Sequence, residues 1–285
     1  MKRAAIFIIT LIITSLPYCK GANNDDIFFT NSDKIIFNEL IEKLTQLPKM
    51  SKGELMVTVA KEFIGTPYVA GSIEVIPETL SAYLHQTDCI LFVESCLAIT
   101  ELISHWETGN QLPTFDEYCQ QIKLMRYRNG TINGYSSRLH YTSEWILQNE
   151  QRGILKEYSS DYGERSYQSF YFMSSHPESY KQLKESPQEV AKIKEVEESL
   201  NRQTKIYTIA PEKIKYISDE IKDGDIICFV STVKGLDIAH VGIAYHDNGK
   251  LTFIHASSSA KKVIIEPRSL IEYTKKRHIR LLHII

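Results

Sequence analysis

Cys89 heads an apolar segment, DCILFVESCLAITELIS (88–104), and two histidines stand in later segments, His240 in IAHVGIAY and His255 in LTFIHAS. A thiol, an imidazole and a second polar ring are the parts of nucleophilic acyl transfer. The thiolate attacks, one imidazole carries the proton, and the other fixes its tautomer. The length and apolar character of 88–104 predict a buried helix with Asp88 or Thr87 as its N-cap. A helix start stabilises a thiolate through the dipole. Adjacent Asp88 opposes that, so an imidazole is needed nearby. By position alone Cys89 also fits a buried structural cysteine, the commoner role.

The two histidines flank His246-Asp247-Asn248-Gly249-Lys250, a hairpin signal. A two-residue Asn-Gly turn pairs His240 with Ser257 and makes His255 its diagonal neighbour on one face. A four-residue loop sets His240 directly opposite His255. A three-residue loop separates them onto opposite faces. Two imidazoles side by side suit a base and its orienter, or two metal ligands. The metal reading lacks a third ligand at a motif spacing, so no metal and no cofactor is expected.

The elements that must hold these residues are legible in outline. Helical spacing is present at 31–45, with Ser32 or Asp33 as cap, and at 51–64, stopped by Gly65-Thr66-Pro67. The middle, about 105–222, is polar and aromatic, with helices expected at 115–127, 141–150 and 187–201. From 225 the pattern turns to strands: DIICFVS, IAHVGIAY, LTFIHAS, KVIIE and HIRLLHII. Helices first and strands last predict an α+β fold with an antiparallel sheet. The 285 residues carry 33 Lys plus Arg against 35 Asp plus Glu, a formal charge of −2, so bulk electrostatics do not favour nucleic acid.

Residues 1–22 read as a secretory signal, too short for a confident membrane span. Lys2 and Arg3 precede an apolar run from Ala4 to Ser15, broken by Pro17, with cleavage near Gly21 or Ala22. Residues 23–285 then form a single domain with no transmembrane segment. Cys19 opens a lipid-anchor reading, although Tyr18 is a poor residue before a lipidated cysteine. Two disulfides among Cys89, Cys96, Cys119 and Cys228 are conceivable in an exported protein. The apolar surroundings of Cys89, Cys96 and Cys228 argue instead for free thiols.

A cysteine opening a helix, then His-Val-Gly-Ile, then Ile-His-Ala, resembles the NlpC-type cysteine amidases of papain-like fold. Longer blocks are similar to the N-acetylmuramoyl-L-alanine amidase-like branch: GTPYVAGSIE (65–74), DCILFVES (88–95), SRLHYTSEWI (137–146), FYFMSSHPESY (170–180) and GDIICF…GLDIAHVGIA (224–244). The resemblance implies a nucleophile helix packed on a C-terminal antiparallel sheet, with 105–222 as a mainly helical insertion. It implies Cys89 as nucleophile, His240 as base and His255 as orienter. Tyr68 and Asp88 would line the site, with Gly71 and Ser72 in the same Tyr-containing segment. Ile90-Leu91 replace the Ser-Gly often found after the cysteine, and Ala70 replaces a Trp; both put substrate recognition in question. Arg138, His140 and Tyr141 in the insertion are candidates to hold a carboxylate or sugar, or to serve as a structural stack.

The implied reaction is hydrolysis of the amide between N-acetylmuramic acid and L-alanine in peptidoglycan fragments, anhydro-muropeptides among them. The leader implies export, to the periplasm of a Gram-negative bacterium. Three other readings stay open. One is a γ-D-glutamyl-diamino-acid endopeptidase of the stem peptide. The others are a non-catalytic wall-binding module and a papain-like acyltransferase.

Overall fold

The computed structural model describes residues 19–20 and 26–285; the leader expected over 1–22 lies, apart from 19–20, outside the described residues. The helices that matter here are α1 (Asn31–Leu44), α2 (Lys52–Glu62), α3 (Cys89–His105), α4 (Phe115–Arg126), α5 (Thr142–Gln151), α6 (Pro187–Gln203) and α7 (Leu270–Tyr273). Four of their starts follow a simple chemical rule. Thr30 with Asp33, Ser51 with Glu54, Thr114 with Glu117 and Ser269 with Glu272 form capping boxes, each satisfying two free N–H groups at a helix start. The α1 cap is therefore Thr30, not Ser32 or Asp33. Asp33 is the box's return partner, because only the residue before the first helical turn has the extended backbone a cap needs.

The main sheet has six strands: β1 (Leu155–Glu157), β2 (Ile226–Val230), β3 (Ile238–Asp247), β4 (Lys250–Ser257), β5 (Lys262–Ile265) and β6 (Ile279–Ile284). Their spatial order is β5-β4-β3-β2-β6-β1, with all pairings antiparallel. The α+β expectation holds, and the five expected strands are present with small shifts at their ends. The sixth, β1, comes from inside the 105–222 segment and pairs with β6, so that segment is joined to the sheet edge. Its sequence, Leu-Lys-Glu, is too short and polar to announce a strand. Arg280 on β6 fixes the join: it is buried and donates to both Glu157 oxygens at 2.8 Å.

Alternation along the strands gives the sheet two apolar faces. Cys228, Val241, Ile243, Ile254 and Ala256 belong to one core with Met56 and Val59 of α2 and Phe92, Val93, Cys96 and Leu97 of α3. Ile227, Phe229, Ala244, Phe253 and Leu281 form a second core with Ile214, Ile217, Ile221 and Leu270. Each such side chain contributes about 1.5–3 kcal/mol by leaving water. A third cluster, including Tyr141, Phe170, Ile193 and Leu200, holds α6 and its neighbours together. Cys89, Cys96, Cys119 and Cys228 are all free thiols, and the last three are buried. Among the described residues, no helix is long and apolar enough to cross a membrane.

Candidate active site

Asp88 is the N-cap of α3. Its Oδ1 accepts the N–H of Ile90 at 3.1 Å and of Leu91 at 3.0 Å, which leaves Cys89 as the first helical residue. The Cys89 thiol is half-buried. The backbone N–H dipoles of Val241, the residue after His240, and of Ile90 and Cys89 itself act on it electrostatically. These N–H groups favour the thiolate, but burial and the adjacent acid, Asp88, outweigh them and push the thiol up to about 12.

An extended strap brings a second residue to the thiol. Gly65 donates to Val263 O and Tyr68 to Lys261 O, beside β5; Val69 and Thr87 exchange bonds with Thr87 O and Pro67 O, beside the start of α3. The strap seats Tyr68 near the nucleophile: burial raises its phenol, and the Cys89 and Asp88 charges add to that. Gly71, at φ +68°, turns the chain just beyond, a conformation that suits glycine. The buried Ser72 hydroxyl has no hydrogen-bond partner among the described residues.

The β3–β4 turn is the two-residue one. Asn248 and Gly249 have φ of 49° and 82°, and Asp247 pairs with Lys250. Continued along the strands, that register sets His240 opposite Ser257 and His255 on its diagonal. His240 Nε2 and His255 Nδ1 lie 2.7 Å apart, their rings at 80°. Gly242 makes this possible: a Cβ there would stand 2.7 Å from the Phe253 ring and 3.3 Å from His255 Cβ. A register shift between Phe229 and Val230 lies at the same end of β3, where bulges commonly re-aim functional side chains. Burial, His255 and Arg277 push the His240 imidazole down to about 3, and burial with Arg268 pushes His255 down to about 4 against the pull of Glu266. Both rings are therefore neutral in the resting protein. They line a cavity of about 340 Å³ shared with Ser257, Glu266, Tyr273 and Arg277.

The insertion residues fall elsewhere. Arg138 is buried, with its guanidinium bonded to Glu78 at 2.6 and 2.8 Å, Glu74 at 2.5 Å and Ile73 O at 3.2 Å. Its guanidinium is bonded to partners inside the protein, and one of them, Glu74, raises Asp88 by its charge. Tyr141 is buried and bonds Glu197 at 2.7 Å, while His140 bonds Tyr135 O at 2.8 Å. These three are scaffold, the structural stack that the sequence left open. Asp237 pins the loop before β3 by accepting the Ser143 N–H at the start of α5, at 2.6 Å.

Sequence reasoning did not single out Glu74, Arg126 or Glu266. Arg126 meets Glu94 of α3 at 2.8 Å, with both side chains buried. Glu266 was visible as the polar end of KVIIE, and its register with His255 was not.

A thiol at a helix start and a bonded imidazole pair at the adjoining strand end are the components of cysteine-dependent acyl transfer on an α+β scaffold. Residues 58–280 match the N-acetylmuramoyl-L-alanine amidase-like family, and the chain belongs to that family. It is 34% identical to an N-acetylmuramoyl-L-alanine amidase from Bacteroides uniformis, with a TM-score of 0.73, over 82% of this chain and 98% of that one. A Bacteroides fragilis protein described only as a candidate xylanase is 33% identical, with a TM-score of 0.73, over 80% and 100% of the two chains. The Legionella pneumophila protein LPG0564 is 20% identical over 88% and 96%, with a TM-score of 0.62, and shares the fold. No curated protein matches.

Proposed function

We propose that this protein is a cysteine amidase that hydrolyses the bond between N-acetylmuramic acid and L-alanine in peptidoglycan fragments. The observation that carries the reading is the 2.7 Å His240–His255 bond, on the strand whose Val241 N–H acts electrostatically on the Cys89 thiol. The family assignment supports the bond class.

Both partners rest neutral, so the base acts during attack. His240 takes the Cys89 proton as sulfur bonds to the lactyl carbonyl carbon. The oxyanion forms near the Cys89 N–H at the start of α3. His240 passes the proton to the alanine nitrogen, the C–N bond breaks, and a muramoyl thioester remains. Water then attacks the thioester, gives its proton to His240, and the thiol recovers it as the sugar acid leaves. Tyr68 and Asp88, whose electrostatics are coupled to the thiol, are the side chains this reading assigns to the substrate. The papain-like architecture and export to the periplasm belong to the same proposal.

Mass spectrometry of a defined muropeptide, incubated with wild type and with Cys89→Ala, tests this. The expected products are an intact stem peptide beginning with L-alanine and the free muramic sugar, from wild type alone. A cut after D-glutamate, or cleavage between sugars, would refute the bond assignment. Activity retained by Cys89→Ala would refute the nucleophile.

A further inference from the structure

We propose that Glu266 sets the tautomer of the His240–His255 pair and so acts as a positioning residue for the thiol chemistry. This rests on the amidase reading above and deepens it. Ile264 pairs with His255 across β5 and β4, and period-two alternation puts Glu266 on the same face two residues later. The Glu266 N–H bonds Phe253 O at 2.9 Å, which holds the residue in strand register past the end of β5. Its carboxylate is buried. One oxygen, Oε1, takes Arg268 Nε at 2.6 Å and the Arg268 N–H at 3.2 Å. The other, Oε2, lies 3.5 Å from His255 Nε2. That nitrogen is buried and makes no hydrogen bond.

Proton accounting gives this arrangement its meaning. A single proton lies between His240 Nε2 and His255 Nδ1. A neutral His240 can accept the thiol proton on Nδ1 only if its own proton is on Nε2. It then donates to His255 Nδ1, and the His255 proton must be on Nε2, facing Glu266. A carboxylate can only accept. In the opposite arrangement His255 donates to His240, whose proton moves to Nδ1. The base is lost, and a bare imidazole lone pair faces a negative oxygen. Burial works against the Glu266 charge, but the Arg268 donors outweigh it and hold the carboxyl below the ordinary range. The 3.5 Å separation is longer than a formed hydrogen bond, and a small rotation of ring or carboxylate closes it when substrate arrives.

A purely structural Glu266, clamping Arg268, makes the opposite forecast for one substitution. In Glu266→Gln the two Arg268 donors select the amide oxygen, which leaves the NH₂ facing His255. That donor forces the inactive tautomer. The shape-matched Gln is therefore expected to be worse than Ala. Kinetics of wild type, Glu266→Gln and Glu266→Ala on a defined muropeptide test this. Glu266→Gln should lower kcat by on the order of 100-fold or more with KM little changed, while its melting temperature stays nearer wild type than that of Glu266→Ala. Nitrogen-15 NMR of the resting protein gives a readout independent of turnover. Both rings should carry their proton on Nε2 in wild type and on Nδ1 in Glu266→Gln. A Gln variant milder than Ala, or tautomers that do not change, would overturn the proposal. If wild type cuts and Cys89→Ala does not, yet Glu266→Gln keeps full activity, the Glu266 proposal alone falls. If wild type cuts nothing but the tautomers switch, the amidase reading falls and the positioning role stands.

Discussion

Replacing Arg126 by Met isolates a buried carboxylate on the nucleophile helix, Glu94. Arg126 closes α4, and its guanidinium donates to Glu94 at 2.8 Å and to Ser81 O at 2.6 Å. Glu94 takes one further donor, the Trp145 indole N–H at 3.2 Å. All three side chains are buried, so this small network joins α3, α4, α5 and the segment leading to Cys89. Met fills much of the Arg volume but leaves Glu94 with one neutral donor. Removing one member of such a pair costs about 3–5 kcal/mol, most of it the uncompensated charge. With a urea m-value of about 3 kcal/mol per M, the unfolding midpoint should fall by about 1–1.7 M. Adding Glu94→Gln removes the charge and keeps an acceptor for Trp145, so the double variant should recover at least about 2 kcal/mol. The pH dependence has a fixed sign. Burial already raises the folded Glu94 carboxyl while Arg126 pulls it down; removing Arg126 raises it further above the unfolded value, so the Arg126→Met deficit grows as pH rises from 5 to 8. Urea titrations of the four proteins of this cycle at both pH values decide the matter. A single-variant loss below about 1 kcal/mol, or a double variant that loses the sum of the two singles, would refute the reasoning.

Three further outcomes are expected. Because His240 is pushed down to about 3, kcat/KM should hold steady as pH falls through the ordinary histidine range, with its acid limb below about 6.5. Arg277→Ala removes a charge that depresses His240 and should move that limb upward; a limb at or above 6.5 in wild type contradicts the assignment. Asp88→Asn keeps the cap on Ile90 and Leu91 but removes a charge that raises the Cys89 thiol, so the pH midpoint of thiol alkylation should fall; Asp88→Ala should also cost about 1 kcal/mol of stability. Gly242→Ala drives a methyl into the Phe253 ring and against His255, and should cost about 1–3 kcal/mol in urea unfolding and lower kcat; wild-type values for both would mean that β3 and β4 part more readily than their packing suggests.

Local chemistry in the chain was enough to locate most elements. Asp88 or Thr87 before an apolar run announced a capped helix, and Asp88 holds the cap through bonds that span only two or three residues. Asn248-Gly249 specified a tight turn because both positions need positive φ, and a two-residue turn brings His240 and His255 onto one face. Glu94 stands in an apolar helix, where the cost of isolated buried charge demands a donor. Which donor was decided by tertiary structure, because Arg126 is 32 residues away and meets Glu94 only once α4 packs on α3. Arg138 shows the same limit. Its residue type suited a substrate carboxylate, yet Glu74 and Glu78, more than 55 residues earlier, take its donors when the strap folds against the insertion. The strand at 155–157 exists because the β6 edge offers it unpaired backbone, not because its residues favour extension. Glu266 reaches His255 through the pairing of β5 with β4, a register fixed by strand alternation and the chain path together. Pattern and spacing determined what each segment is and which face it buries, since those follow from bonds between near neighbours. The partners of each buried charge, and the thiol's resistance to ionising, were decided by burial that only the assembled fold provides.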